Sequence, residues 1–263
     1  VNKLWGPKDI HNIPSNRRTR ERTHLIGRQA EVTRLLELLS PHQAAPLITI
    51  DGIGGVGKTA LVLEAAYRCW KASTGEDFVS DPQIPIFDAI IFVSAKQQYL
   101  TPDRILISGD AKRTLRDIFR AIASILGSEI TRTTPQDQML LVKEVLSRQR
   151  TLLIVDNLET MEDKQEIMSF LYDLPSSVKV VITTRERVLF FSPIRLEQLA
   201  QDAALHLIEE EAQEKGADIN RELALQLYRR IGGIPVALIY AVGQIASGFS
   251  LETVLNKIPK VKS

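Results

Sequence analysis

Residues 52–59 read Gly-Ile-Gly-Gly-Val-Gly-Lys-Thr, a complete G-x-x-x-x-G-K-[ST] phosphate-binding loop. No other stretch constrains the fold as tightly. Before it, Pro46-Leu-Ile-Thr-Ile-Asp51 reads as a buried strand; after it, Ala60 to Trp70 has helical spacing. Strand, glycine loop and helix in that order are the context the motif needs. The glycines let the backbone turn tightly and aim its N–H groups at an anion, and the helix N-terminus adds partial positive charge. The candidate phosphate contacts are Gly52, Gly54, Gly55, Val56, Gly57, Lys58, Thr59 and Ala60. Lys58 would reach the β- and γ-phosphates, and the Thr59 hydroxyl would hold Mg²⁺. The alternative, a glycine-rich turn with a chance Lys-Thr, does not account for the flanks.

The chain has 263 residues, 44% hydrophobic and 25% charged, in the range of globular proteins with a sizeable core. A net charge of +1 gives no global case for a nucleic-acid or membrane-surface partner. The basic run Arg17–Arg22 is read as a solvated linker. The longest apolar run, Ile234–Val242, contains Pro235 and is too short to span a bilayer. The single cysteine, Cys69, cannot form an internal disulfide; a reducing cytoplasm is the simplest setting, and Cys69 reads as a packing residue.

Residues 1–24 read as an arm, and 25–199 as a nucleotide-binding domain. Within the latter, helix spacing covers Gln29–Leu39, Leu115–Leu126, Pro135–Gln149 and about 163–172. Apolar strands are expected at Ala89–Ser94, Thr151–Asp156 and Val178–Thr184, with a short fifth at Ile194–Leu196. Tyr99–Asp110 reads as a small inserted hairpin, and 71–85 as a loop. Apolar strands alternating with amphipathic helices predict a five-stranded parallel sheet flanked by helices, an α/β fold. From 200 to 263 only helices are expected, at Gln201–Lys215, Asn220–Ile231, Pro235–Ala246 and Leu251–Ile258, forming a small all-helical subdomain.

The second half of the site begins at Asp156, which ends an aliphatic strand about 100 residues after the loop. Such an aspartate orients Mg²⁺ across the phosphates, so the metal set is Thr59 and Asp156. Hydrolysis also needs a group that activates water. The next position holds Asn157, which accepts no proton at neutral pH; Glu159 is the other candidate. The residues argue for binding more strongly than for turnover. Arg185 closes Thr183-Thr184-Arg185 at a strand end, where a guanidinium can sense a γ-phosphate; the alternative is a salt link to Glu186 or Glu159. No N-K-x-D guanine-reading motif is visible.

In this order the elements resemble an NB-ARC nucleotide-binding module of the STAND class of AAA+-like P-loop ATPases. The matching residues are Ile26-Gly27-Arg28 with Glu31, the loop 52–59, Leu152–Asp156, Val180–Arg185, and Gly232-Gly-Ile-Pro-Val-Ala-Leu238, over roughly 24–258. The resemblance implies that Ile26 and Arg28 lie near the adenine through their backbone. It also implies that Pro235 packs against the base or sugar, that Asp156 is the Mg²⁺ aspartate, and that Arg185 senses the γ-phosphate. The cofactors implied are ADP or ATP with Mg²⁺, in a switch that forms a homo-oligomer in the ATP state of the full-length protein.

Two departures stand out. Asn157 replaces an acidic residue, and the family's winged-helix subdomain, with its Met-His-Asp motif, is not found; His206 falls within a helix and is not assigned that role. The chain is therefore expected to be a fragment, with effector and repeat-sensor domains outside it. The competing expectations are an actively hydrolysing AAA+-type ATPase and a nucleotide-dependent transcription regulator, the latter supported here only by the Arg17–Arg22 run.

Overall fold

The computed structural model describes residues 25–43, 45–74, 84–95, 98–100, 105–107, 114–126, 135–187 and 192–257. The expected arm over 1–24, with its basic run, lies outside these residues, as do Gly75, Pro82 and Ile258.

The strand β1 (Leu47–Asp51) leads through the glycine loop into α2 (Lys58–Thr74), preceded by α1 (Gln29–Leu39). The remaining large strands are β2 (Ala89–Ser94), β5 (Thr151–Asp156), β6 (Val178–Thr184) and β7 (Ser192–Arg195). They form one five-stranded sheet in the order β2-β5-β6-β1-β7, and every pairing is parallel. The short strands β3 (Gln98–Leu100) and β4 (Ile105–Ile107) pair antiparallel as the expected hairpin. Helices α3 (Leu115–Leu126), α4 (Pro135–Ser147) and α5 (Lys164–Tyr172) complete the sheet's cover.

The central strands are aliphatic on both faces because both faces are covered: every residue of β1, β5 and β6 is buried. Alternation splits each strand between two cores. In β5, Leu152 and Ile154 join a core with α1 and α2, while Leu153 and Val155 join one with α3, α4 and α5. Edge strand β7 tolerates Pro193, since a strand with only one partner needs fewer N–H donors. The strand ends one residue before the expected end at Leu196, although the Leu196 N–H still donates to the Asp51 carbonyl at 2.8 Å.

A lysine is buried within the sheet. Lys179 on β6 donates to the Gln43 and Ala45 carbonyls at 2.7 and 2.9 Å, tying the segment after α1 to the lead-in of β1. Burial lowers its pKa, and the charge of Arg150 adds to this.

The helical region comprises α6 (Gln201–Lys215), α7 (Arg221–Ile231), α8 (Pro235–Ala246) and α9 (Leu251–Lys257), around its own apolar core. Its boundaries follow from local chemistry. The Asn220 side chain accepts from Leu223 N at 2.9 Å and caps α7; Gly216 and Gly232 end α6 and α7 in left-handed conformation. Pro235 opens α8, where a missing N–H is harmless. Ile26 and Ile234 pack on this core, so the segment before α1 touches the helical region as well as the sheet.

Candidate functional site

At the C-terminal end of β1 the chain turns through the loop and enters α2 at Lys58. Gly52 has φ +149°, and a Cβ there would lie 2.5 Å from the Leu196 carbonyl oxygen, so only glycine fits. The Lys58 ammonium folds back over the loop and donates to the Gly52 and Ile53 carbonyls at 2.7 and 3.0 Å. Burial lowers its pKa; Glu159, Asp156 and Asp51 oppose that, whereas Arg185 adds to it.

Asp156 is 1% exposed and collects four donors. Thr59 and Thr183 donate hydroxyls to Oδ1, each at 2.7 Å. Ser94 Oγ and Asn157 Nδ2 donate to Oδ2 at 2.8 and 3.1 Å. The geometry follows from register: Ser94 stands beside Asp156 at the ends of β2 and β5, and β6 brings Thr183 in from the other side. Thr59, from the first turn of α2, closes the cluster. Four donors hold the buried carboxylate at a fixed geometry.

Asn157 has a structural role that its sequence position did not suggest. Its backbone is left-handed (φ 60°, ψ 53°), a conformation asparagine tolerates, and its N–H donates to Thr183 Oγ1 at 2.9 Å. An ionised carboxylate in its place would have no proton for Asp156. The turn it begins, 158–160, carries Glu159 toward β6. There Arg185 Nε meets Glu159 Oε1 at 3.0 Å, and the Arg185 backbone N–H donates to Oε2 at 3.2 Å. The salt link to Glu159 is therefore present, while Glu186 pairs with Lys164 at 2.6 Å. The Arg185 guanidinium also lies over the loop: a Cβ added to Gly54 would stand 3.4 Å from Arg185 Cζ. Ion pair and approach to the loop coexist.

The helical region rests on the same loop. Val236 N donates to the Gly55 carbonyl at 3.3 Å, and a Cβ on Gly55 (φ +79°) would lie 2.2 Å from Val236 Cγ1. Pro235, expected to wall the ligand, is the residue that sets this helix end. Arg28 braces the junction through its side chain. It pairs with Glu31 at 2.8 Å and donates to the carbonyls of Val56, at 3.3 Å, and Glu197. Gly27 sits against Ala203 of α6. His206 pairs with Glu210 on an exposed face of α6.

Sequence reasoning named Lys58, Thr59, Asp156, Glu159 and Arg185, and the fold brings all five to one end of the sheet. It missed Ser94, the amide role of Asn157, the side-chain role of Arg28, and Val236. Ser94 had a usable signal, as the polar end of an apolar strand parallel to Thr151–Asp156. Val236 had none, because its contact depends on how the helical region packs.

The residues fit a hard divalent cation. Thr59 and Asp156 offer adjacent hydroxyl and carboxylate oxygens, and no group of three or more His, Cys, Asp or Glu side chains among the described residues forms a dedicated metal cage. Oxygen donors of this kind suit Mg²⁺, which takes its remaining ligands from phosphates and water.

Over residues 24–183 the sequence matches the AAA ATPase domain family, and the chain belongs to that family. The family implies nucleotide binding. Transcription activator GutR of Bacillus subtilis (strain 168) is 33% identical over 199 residues, covering 72% of this chain. The chain spans about a fifth (20%) of that protein's length. Among solved structures, a Walker-type ATPase of Pyrococcus abyssi aligns with TM-score 0.55 and 13% identity, over 89% of this chain and 71% of the other. A STAND protein with a tetratricopeptide repeat sensor from Pyrococcus horikoshii aligns at 0.51 and 19%, over 82% of this chain and 30% of that one. Domain III of the Thermotoga maritima replication initiation protein DnaA aligns at 0.51 and 12%, over 88% and 90%. These likenesses establish the parallel P-loop fold. Among the described residues no helix is long and apolar enough to cross a membrane.

Proposed function

We propose that this chain is the nucleotide-operated switch unit of a STAND-type, NB-ARC-like signalling protein. It binds ADP or ATP with Mg²⁺ between a P-loop domain (25–199) and a helical subdomain (200–263). The observation that carries the reading is the double engagement of one loop. Lys58, Thr59 and the Asp156 cluster stand behind it, and Val236 of the helical region bonds to Gly55 at its tip. A ligand that reshapes the loop would change the seat of the helical region, which is what a switch requires. Lys58 and the loop N–H groups would take phosphates, Thr59 and Asp156 the cation, Arg185 the γ-phosphate, and Ile26 and Arg28 the base side. Bound Mg²⁺ would neutralise phosphate charge. Slow or absent hydrolysis is expected because Asn157 spends its amide on Asp156 and Glu159 is ion-paired with Arg185. Homo-oligomer formation in the ATP state of the full-length protein belongs to the same proposal.

The likeness to a transcription activator favours a second reading of the output, in which nucleotide state governs transcription. The experiment for the switch is to denature the purified protein and identify released nucleotide, then titrate Lys58→Ala with Mg²⁺-ADP and Mg²⁺-ATP. The expected outcome is retained ADP in the wild type and at least about tenfold weaker binding in the variant, since a charge-assisted phosphate contact is worth about 1.5–3 kcal/mol. Unchanged affinity for both ligands would sink the assignment.

A further inference from the structure

Glu159 was a candidate for the water-activating base, yet its surroundings suit another task. The turn that carries it is fixed at both ends. Asn157 N is bonded to Thr183, and Thr160 Oγ1 donates to the Asn157 carbonyl at 2.9 Å and the Ala95 carbonyl at 3.3 Å. The Glu159 side chain is only 10% exposed, whereas that of Arg185 is 63% exposed. A long, exposed arginine is normally free to sample many rotamers; a buried carboxylate on a pinned turn removes that freedom.

The contact also has two parts. Glu159 Oε1 lies 3.0 Å from Arg185 Nε as an ion pair, and Oε2 accepts the Arg185 backbone N–H. The two terminal nitrogens engage no acceptor among the described residues, and the guanidinium carbon lies 3.4 Å from where a Gly54 Cβ would stand. The guanidinium as a whole thus lies over the loop, with its terminal nitrogens free of acceptors among the described residues. Both carboxylate oxygens face Arg185, an arrangement that suits an orienting group better than a proton acceptor.

We infer that Glu159 is a positioning residue that holds the Arg185 guanidinium over Gly54, and so sets the preference for a nucleoside triphosphate over a diphosphate. The inference rests on the nucleotide-switch reading above. Glu159 also favours the charged form of Lys58, so it acts on two cations of the site at once. A diphosphate would not extend to Arg185 and would be indifferent to the pair.

The test is a double-variant cycle with Glu159→Gln, Arg185→Ala and both together, titrated with Mg²⁺-ADP and with a non-hydrolysable ATP analogue, alongside ATP turnover. Glutamine keeps the shape and the fold but not the charge. Glu159→Gln should weaken analogue binding about three- to fivefold, the scale of a partly exposed ion pair, with ADP affinity held within about twofold. In the Arg185→Ala background it should add nothing, because the group it positions is gone. The inference is overturned by an unchanged analogue-to-ADP ratio, by equal losses for both ligands, by additive losses in the double variant, or by abolished turnover with unchanged analogue affinity. If instead the wild type binds neither ligand, or Lys58→Ala binds both normally, the nucleotide-switch reading itself fails.

Discussion

At the scale of single residues, the site is a set of charges held in low-solvent surroundings, and Lys58 shows the consequence. Burial lowers its pKa below the usual 10.5, so in the ligand-free protein its charge disappears as pH rises through that lowered value. Phosphate requires the protonated form and would raise the pKa again. Proton uptake should therefore accompany nucleotide binding at alkaline pH, and affinity should fall there earlier than an ordinary lysine would impose. Titrating Mg²⁺-ADP across about pH 7.5–10.5 by calorimetry in buffers of different ionisation enthalpy checks this; Lys58→Arg should flatten the decline, since arginine stays charged. The positions of these residues were legible in the sequence because they ride on fixed offsets: the loop spacing delivers Lys58 and Thr59, and an aliphatic run ending in a carboxylate delivers Asp156. The contact of Ser94 with Asp156 and the side-chain contacts of Arg28 were not read, because one forms across a strand register and the other reaches segments far apart in the sequence.

At the scale of elements, burial decides. Cys69 on α2 is fully buried, and its thiol pKa is pushed up to about 12 by burial. It should resist alkylation at pH 8 in the native protein and react fully in denaturant; stoichiometric native labelling would contradict its placement. The helices and strands were readable almost to the residue wherever apolar periodicity was unbroken, as in Leu115–Leu126 and Thr151–Asp156. Differences fell at ends: α4 stops at Ser147, before the expected Gln149, and β7 covers Ser192–Arg195 rather than 194–196. Within β7 only Ile194 is buried, so the strand carries a weak pattern, which is why it was misframed. The spatial strand order was not legible, since periodicity says nothing about which strand lies beside which.

For the whole molecule, the contact between α8 and the loop matters most, and Gly55 is its test. A methyl there meets Val236 Cγ1 at 2.2 Å and strains a left-handed backbone. Gly55→Ala should lower stability by about 1–3 kcal/mol and raise hydrogen exchange across 233–237. Adding Val236→Ala should recover part of the loss by removing the clash. Unchanged exchange in the single variant would mean that the helical region does not depend on this seat. The sheet order has a further consequence, for synthesis. The phosphate-loop strand β1 is made before its two neighbours, β6 and β7, whose paired residues are encoded more than 130 residues later. At about 5–20 residues per second, a nascent chain carries a finished loop sequence for roughly 7–27 s before any neighbouring strand exists to hold it. The cell's nucleotide pool can therefore assist this part of the fold only once β6 and β7 have been made.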